Sequence, residues 1–481
     1  MGETTIISES TTDGPNLTAS STPKSKVIVG YSLPTWRKYL ILFVTSWLTL
    51  IVTFSSTSML IATPEIATDL STTPEILNIT NAGVLVAMGL SALIWSPLSN
   101  LFGRKKIYNV AIFFMFVPSI GAAVAPDLAT FTAMRLMGGL TGTYFMVAGQ
   151  TIITDIFGPL SRGQATGFFM VGSVAGPALG PCIGGLIVTF SHWRNIYWLQ
   201  VAMSGFGLVL SLIVIPSVKR EVEVIQVNGK EKLSFFDALQ KFNPLGVFRQ
   251  LLRPNILLAV SLHHPSINQR IEKIKVKKDV TCGCLAATQY GILASVRHVI
   301  NPRFNLTTPL ISGLFYIAPG MGFFVGSIVG GRLADRTVKR YIAKRNGIRL
   351  PGDRLNSGLI GLFVILPISL LLFGWGLQES IGGLALPIVA AVWAGVGLMG
   401  TFNALNTYTA EVNPAKTAEV ICSKYMVQYL FGASSLAGIV PLIDAIGVGW
   451  SFTLLVASDF LGGGMVLLIT RFWTKVPGES G

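Results

Sequence analysis

Pro97-Leu-Ser-Asn-Leu-Phe-Gly-Arg-Lys-Lys106 closes one long apolar run and opens the next, and Gly330-Gly-Arg-Leu-Ala-Asp-Arg336 does the same in the other half of the chain. Each is a basic turn between the second and third apolar runs of its half. The same turn at the same point of two halves reads as an internal repeat. Parallel repeats of six spans are a standard plan for carriers, with the substrate site at the midplane between them.

Composition points to lipid as the main solvent. Of 481 residues 51% are hydrophobic and 12% charged, with a mean hydropathy of +0.62, whereas a soluble domain is about a quarter charged. Runs of about 20 apolar residues span the hydrocarbon core as helices, because each backbone group is then satisfied within its own segment. Such runs are predicted near 40–62, 82–101, 107–125, 128–153, 165–189 and 196–216, and again near 309–331, 357–376, 381–405, 420–443 and 448–470. The expected fold is an all-α membrane protein of two six-helix bundles joined by a cytoplasmic central loop. Its divisions are a disordered tail over 1–32, a first bundle over 39–216, the loop over 217–254, a second bundle over 255–471 and a tail over 472–481.

The formal net charge of +14 sits between the runs. Arg104, Lys105, Lys106, Arg162, Lys219, Arg220, Arg332, Arg336, Lys339 and Arg340 occupy alternate connections, while Glu65, Asp69, Glu75, Asp127 and Glu379 occupy the others. That distribution places both termini in the cytoplasm and explains the basic balance without a nucleic-acid partner. Cys182, Cys282, Cys284 and Cys422 lie in or near apolar stretches and form no disulfide framework. Cys282-x-Cys284 with His263 and His264 lacks the usual metal-ligand spacing, so no metal or cofactor is expected.

The seventh span is the irregular one. Asn255 to Leu262 and Ala286 to Val296 are apolar, but His263, His264, Arg270, Glu272, Lys273, Lys275, Lys277, Lys278 and Asp279 stand between them. At a few kcal/mol for each charge near the bilayer centre such a stretch does not span. The segment 263–285 is therefore expected to interrupt helix 7, as an insertion or as the product of a retained intron. The alternative is an extramembrane loop with the seventh helix beginning later.

In the fifth span Gly172, Gly176, Gly180 and Gly184 line one helix face, with Pro177 and Pro181 interleaved, and the eighth span carries Ala318, Gly322, Gly326 and Gly330. Stripes of small residues let helices approach closely, and these two are expected to face each other across the halves, either as a moving interface or as static packing. Gly172-x-x-x-Gly176-Pro177-x-x-Gly180-Pro181 resembles the fifth-helix antiporter motif of the major facilitator superfamily, and residues 96–106 resemble its signature loop. Arg135-Leu-Met-Gly-Gly139 resembles the fourth-helix arginine motif. Asn301 to Pro309 and Pro351 to Asn356 are similar to fungal members of the twelve-span drug:proton antiporter branch. Two departures stand in the first signature loop, Ser96 for a glycine and Asn100 for an acid, while the second copy keeps Gly331, Asp335 and Arg336.

The resemblance implies a proton-coupled exporter of small amphipathic drugs or secondary metabolites, working by alternating access, with small molecule, protons and bilayer as its only partners. It is expected as a monomer in the plasma membrane, or alternatively the vacuolar membrane. Import of a small nutrient is the runner-up, although Ser217-Val-Lys-Arg220 and Thr474-Lys-Val-Pro-Gly478 stand where sugar porters carry their signatures. An inactive product is the third reading, should helix 7 be broken. An enzyme would need clustered histidines or a nucleophile with its base inside the spans, and His192, His263, His264 and His298 lie at span edges or in the irregular segment.

Arg135, inside its span, is assigned to proton coupling by the resemblance, with structural pairing as the alternative. Asp459 is the acidic residue near the middle of the last span and the second candidate for that role, against a packed, hydrogen-bonded side chain. Gating candidates are Asn100, Gly103, Arg104, Asp155, Arg162, Gly331, Asp335, Arg336 and Glu411. Glu411, Glu419 and Lys424 bracket the last of these turns, as gate charges or as a solvated loop. From helix position in the family plan, cavity candidates are Trp47, Thr53, Tyr144, Gln150, Gln289, Tyr290, Asn403, Asn406, Tyr425 and Gln428. Asn78 and Asn305 head glycosylation acceptors expected in outside loops, and Asn16 heads one on the tail.

Overall fold

A computed structural model describes residues 33–157, 162–215, 267–304, 308–346, 351–412 and 417–473. The first tail, the central loop, His263, His264, Asn16 and Asn305 lie outside the described residues. The first bundle holds α1 (Thr35–Thr57, continued by Met59–Asp69), α2 (Pro74–Phe102), α3 (Arg104–Ala123), α4 (Leu128–Gly139 and Gly142–Ile156), α5 (Arg162–Phe190) and α6 (Arg194–Val214). The second holds α7 (Ile267–Ser295, continued by Val296–Ile300), α8 (Pro309–Phe315 and Ile317–Lys344), α9 (Pro351–Arg354 through Leu366–Gln378), α10 (Ala385–Val412), α11 (Thr417–Ile446) and α12 (Val448–Trp473). Ten of these stretches are long and apolar enough to cross a bilayer. The other two are α4, broken after Gly139, and α7, which begins among charges.

Local chemistry sets the ends. Thr73 accepts from the Ile76 amide and Pro74 opens α2, where a missing N–H is harmless. Asp127 accepts from the Thr130 amide at 2.7 Å and starts α4. Gly103, at φ +92°, makes the reversal between α2 and α3, and Gly447, at φ +86°, makes that between α11 and α12; a Cβ is strained at such angles. Around the outside, Phe190, Ile213 and Leu461 are more than 70% exposed. An apolar belt of this kind is the mark of a lipid-facing surface.

The seventh helix departs from expectation. Over the described residues it is continuous from Ile267 to Ser295, so the charges from Arg270 to Asp279 stand within a helix. Asp279 is buried, and the path from there to Ile300 is about 33 Å at ~1.5 Å per residue, long enough for the hydrocarbon core. The polar groups on this stretch find partners inside the bundle. Ser423 donates to Asp279 at 3.0 Å, and Thr281 donates to the Gly462 carbonyl at 2.8 Å. The helix therefore carries the charged stretch in its first turns and its apolar stretch after it.

The two glycine stripes also depart from expectation, because each packs within its own half. A Cβ on Gly172 would stand 2.2 Å from the Ser46 carbonyl and one on Gly176 would stand 1.9 Å from Thr53 Oγ1, so that face of α5 is seated on α1. Thr53 and Thr57 donate to the carbonyls of Gly172 and Gly176 at 3.3 and 3.1 Å. Hydroxyls on α1 matched to bare backbone on α5 explain the choice of partner. Gly322, Gly326 and Gly330 likewise meet the α10 backbone at Val392, Val396 and Gly400. The α5–α8 contact across the halves uses other positions: Ala178 against Gly320, and Pro181 and Gly185 against Gly313 and Pro309.

Candidate functional site

Between the halves lies a cavity walled by both bundles, and clefts between the helices of a bundle are a common place for small-molecule sites. Thr53 of α1, Gln289 and Tyr290 of α7, Asn403 and Asn406 of α10, and Tyr425 and Gln428 of α11 line it together. Gln150 donates to the Tyr425 hydroxyl at 3.0 Å from α4 and so reaches the site through that ring. Two other candidates are elsewhere. Trp47 donates to the Met203 carbonyl at 3.1 Å and packs on Phe43 and Phe206, while Tyr144 is buried among Trp95, Tyr108 and Phe145. An aromatic or amide side chain on an apolar helix serves packing as readily as a ligand, and helix position alone does not separate the two.

The lining also includes Met146, Met170, Ser173, Val174, Pro177, Met399, Phe402, Tyr429 and Lys424. Lys424, expected to bracket a turn, is buried two turns inside α11. Its ammonium donates to Asn406 Oδ1 and lies 3.8 Å from the centre of the Tyr425 ring. The signal available in the sequence was its place directly before Tyr425 in a helical run. Flexible thioethers, flat rings, a few amides and one ammonium make a surface that moulds to an amphipathic molecule while offering limited polar orientation.

The halves meet on both sides of this cavity. Toward the basic end α2 packs on α11, with Gly89 against Met426 and Tyr429. Toward the opposite end α5 packs on α8, the Leu310 amide donates to Thr189 Oγ1 at 3.0 Å, and Arg297 of α7 bonds the Ile61 carbonyl and pairs with Glu65 at 3.2 Å. The Arg297–Glu65 pair lies just past Val296, where the apolar pattern of the seventh span ends.

Arg135 is buried in the first half, 5% exposed. It donates to the Ser55 carbonyl at 2.8 Å and to Asn81 Oδ1 at 2.8 Å, and it lies 5.6 Å from the centre of the Tyr197 ring. It thus ties α4 to α1 and α2 through neutral acceptors. Asp459 of α12 is 1% exposed, accepts from Thr288 at 2.8 Å through one carboxylate oxygen, and has no partner for the other. Thr288 precedes Gln289 of the cavity wall, so one turn of α7 carries both contacts.

Residues 45–437 match the pattern of the Major Facilitator Superfamily. The chain belongs to that superfamily. Its relatives include the MFS antiporter QDR3 of Candida albicans, 25% identical over 91% of this chain and 78% of that protein. Quinidine resistance protein 3 of Saccharomyces cerevisiae is 22% identical over 91% and 82%. The efflux pump radE of Floropilus chiversii is 24% identical over 88% and 78%. Among solved structures, the D-xylose-proton symporter aligns at a TM-score of 0.65 with 14% identity, covering 91% of this chain and 98% of that one. The human organic anion transporter MFSD10 aligns at 0.61 with 16% identity, covering 90% and 100%. These structures share the fold of two six-helix bundles.

As a facilitator, the protein is an integral membrane transporter of small molecules and not an enzyme. Its signature-loop positions fall at the basic end. Arg104 pairs with Asp155, joining the start of α3 to the end of α4, and Asp335 pairs with Arg354 at 3.2 Å, joining α8 to α9. Gly331 has open space where a Cβ would stand, and Arg336 is exposed. The side chains of Asn100, Arg162 and Glu411 lie outside the described residues. Asn78 stands within the first turns of α2 and not in a loop.

Proposed function

We propose that this facilitator exports small amphipathic compounds from the cytoplasm in exchange for protons, as a monomer in the plasma membrane. The observation that carries the reading is the cavity between the halves, lined by Tyr290, Tyr425, Gln289, Gln428 and Lys424, with cross-half contacts above and below it. Alternating access would open the α2–α11 contact to load cargo and the α5–α8 and Arg297–Glu65 contacts to release it. The relatives named as antiporter, resistance protein and efflux pump support the outward direction.

Asp459 is the proton carrier in this scheme. Taking up or losing a proton there changes how firmly α12 holds α7, and α7 is a wall of the cavity. Arg135 contributes to coupling as the cross-link that makes α1, α2 and α4 move together. Purified protein in sealed vesicles tests the whole reading. An imposed proton gradient should drive a fluorescent amphipathic cation or acid uphill, and its collapse by an ionophore should stop the flux. Flux that ignores the gradient overturns proton coupling. In Arg135→Ala coupled flux should be lost with the protein still in the membrane, and full activity in that variant removes its role.

A further inference from the structure

Arg135 carries a permanent charge that its surroundings do not balance. Its partners are the Ser55 carbonyl and hydroxyl, the Asn81 amide oxygen, the Met59 sulfur and the Tyr197 ring, and every one of them is neutral. No carboxylate among the described residues pairs with it. A guanidinium does not shed its proton to escape a poor environment as a lysine does, and a buried charge without a counter-charge is strongly unfavourable.

The same residue lines a small cavity inside the first bundle, separate from the central one and walled by α1, α3, α4 and α6. Three buried polar atoms on residues of that wall have no hydrogen-bond partner: Arg135 Nε, the Tyr197 hydroxyl and Gln200 Oε1. Buried polar atoms are nearly always satisfied, so three orphans around one space call for an occupant. The space at its core holds little more than one water-sized body. A water would meet the hydrogen bonds and leave the charge.

We propose that this cavity binds one chloride-sized monovalent anion. The anion accepts from the Arg135 Nε–H and the Tyr197 O–H, and the Gln200 amide turns its NH₂ toward it, a half-turn that exchanges two atoms of nearly equal size. Ser55 and Ser119 complete a wall without carboxylates. Carboxylic metabolites and phosphate are too large for the space. The proposal does not rest on the direction or coupling of transport.

The test is made on the full chain, purified in detergent with gluconate as the sole anion. Radiolabelled chloride should bind saturably at about one per chain, and chloride or bromide at constant ionic strength should raise the unfolding temperature where gluconate does not. Tyr197→Phe removes one donor to a charged group and should weaken chloride binding about tenfold or more. Arg135→Gln should abolish it. Absence of retained chloride, with equal unfolding temperatures in chloride and gluconate, shows that water fills the cavity and overturns the proposal. Chloride binding of unchanged affinity in Tyr197→Phe overturns the assignment to this cavity. Should Arg135→Gln fail to fold, those two measurements on wild type and Tyr197→Phe still decide it.

Discussion

Thr288 and Asp459 join α7 to α12 through a single 2.8 Å hydrogen bond, in a seam where the second carboxylate oxygen has no donor. A carboxylate usually gathers several donors when it is buried, and this one has the minimum. Its environment is therefore sensitive to whether it carries a proton. Asp459→Asn keeps an acceptor for Thr288 and removes titration. Gradient-driven export should fall at least tenfold in this variant, while downhill exchange of cargo and the amount of folded protein stay near wild type. Retained uphill export in vesicles would dismiss Asp459 as the carrier and leave it as a packing group.

The α1–α5 contact makes a different demand, on size alone. At Gly176 an added methyl would overlap Thr53 and its backbone, whereas at Gly167 of the same helix nothing lies within 4 Å of the methyl's position. Overpacking of this kind costs about 1–3 kcal/mol or more. Gly176→Ala should lower the unfolding temperature and the yield of folded protein, and Gly167→Ala should leave both unchanged. Thermal unfolding in detergent checks the pair; equal behaviour would mean that α1 and α5 are not seated as described.

Much of this architecture is legible in the sequence because the bilayer imposes one dominant rule on length and hydropathy. The repeat of the basic turn at Lys106 and Arg336 and the apolar runs between charges suffice for two six-helix bundles. What fails is whatever depends on partners from distant segments. Asp279 looks unfit for an apolar helix until Ser423 is beside it. The glycine stripes reveal close packing but not the partner, since a bare helix face fits any helix; the hydroxyls of Thr53 and Thr57 decide it. For the cavity, polar residues on apolar helices are visible, yet Tyr144 and Tyr425 look alike in sequence and only one lines the site.

At the end opposite the basic turns, Asp69 takes a hydrogen bond from Arg194 at 2.5 Å and one from Trp193 at 3.1 Å. Partial burial pushes its carboxyl up, but the Arg194 bond and charge, with Trp193 and His192, outweigh that and hold it below the ordinary value of 3.8. A depressed carboxyl contributes stability that is fully present above its unfolded value and is lost as pH falls through the folded one. Wild type should therefore lose stability below about pH 4, and Asp69→Asn should show a flatter profile there. Unfolding temperature measured from pH 6 to pH 3 on both proteins checks it; parallel profiles would place the acid sensitivity elsewhere.

Lys424 brings the one ammonium into a cavity otherwise lined by amides, hydroxyls, rings and thioethers. That ammonium donates to Asn406 and lies over the Tyr425 ring at the cavity wall. Cargo with an acidic or strongly accepting group gains a charge-assisted bond there, about 1.5–3 kcal/mol for a good one. Lys424→Gln keeps length and polarity while removing the charge, so it should weaken export of acidic amphipathic compounds about tenfold or more and spare neutral ones. Competition by a matched acid and its methyl ester, measured in wild type and variant, reads this directly. If the ratio between acid and ester stays the same in both proteins, Lys424 serves the packing of α10 against α11 and does not select cargo.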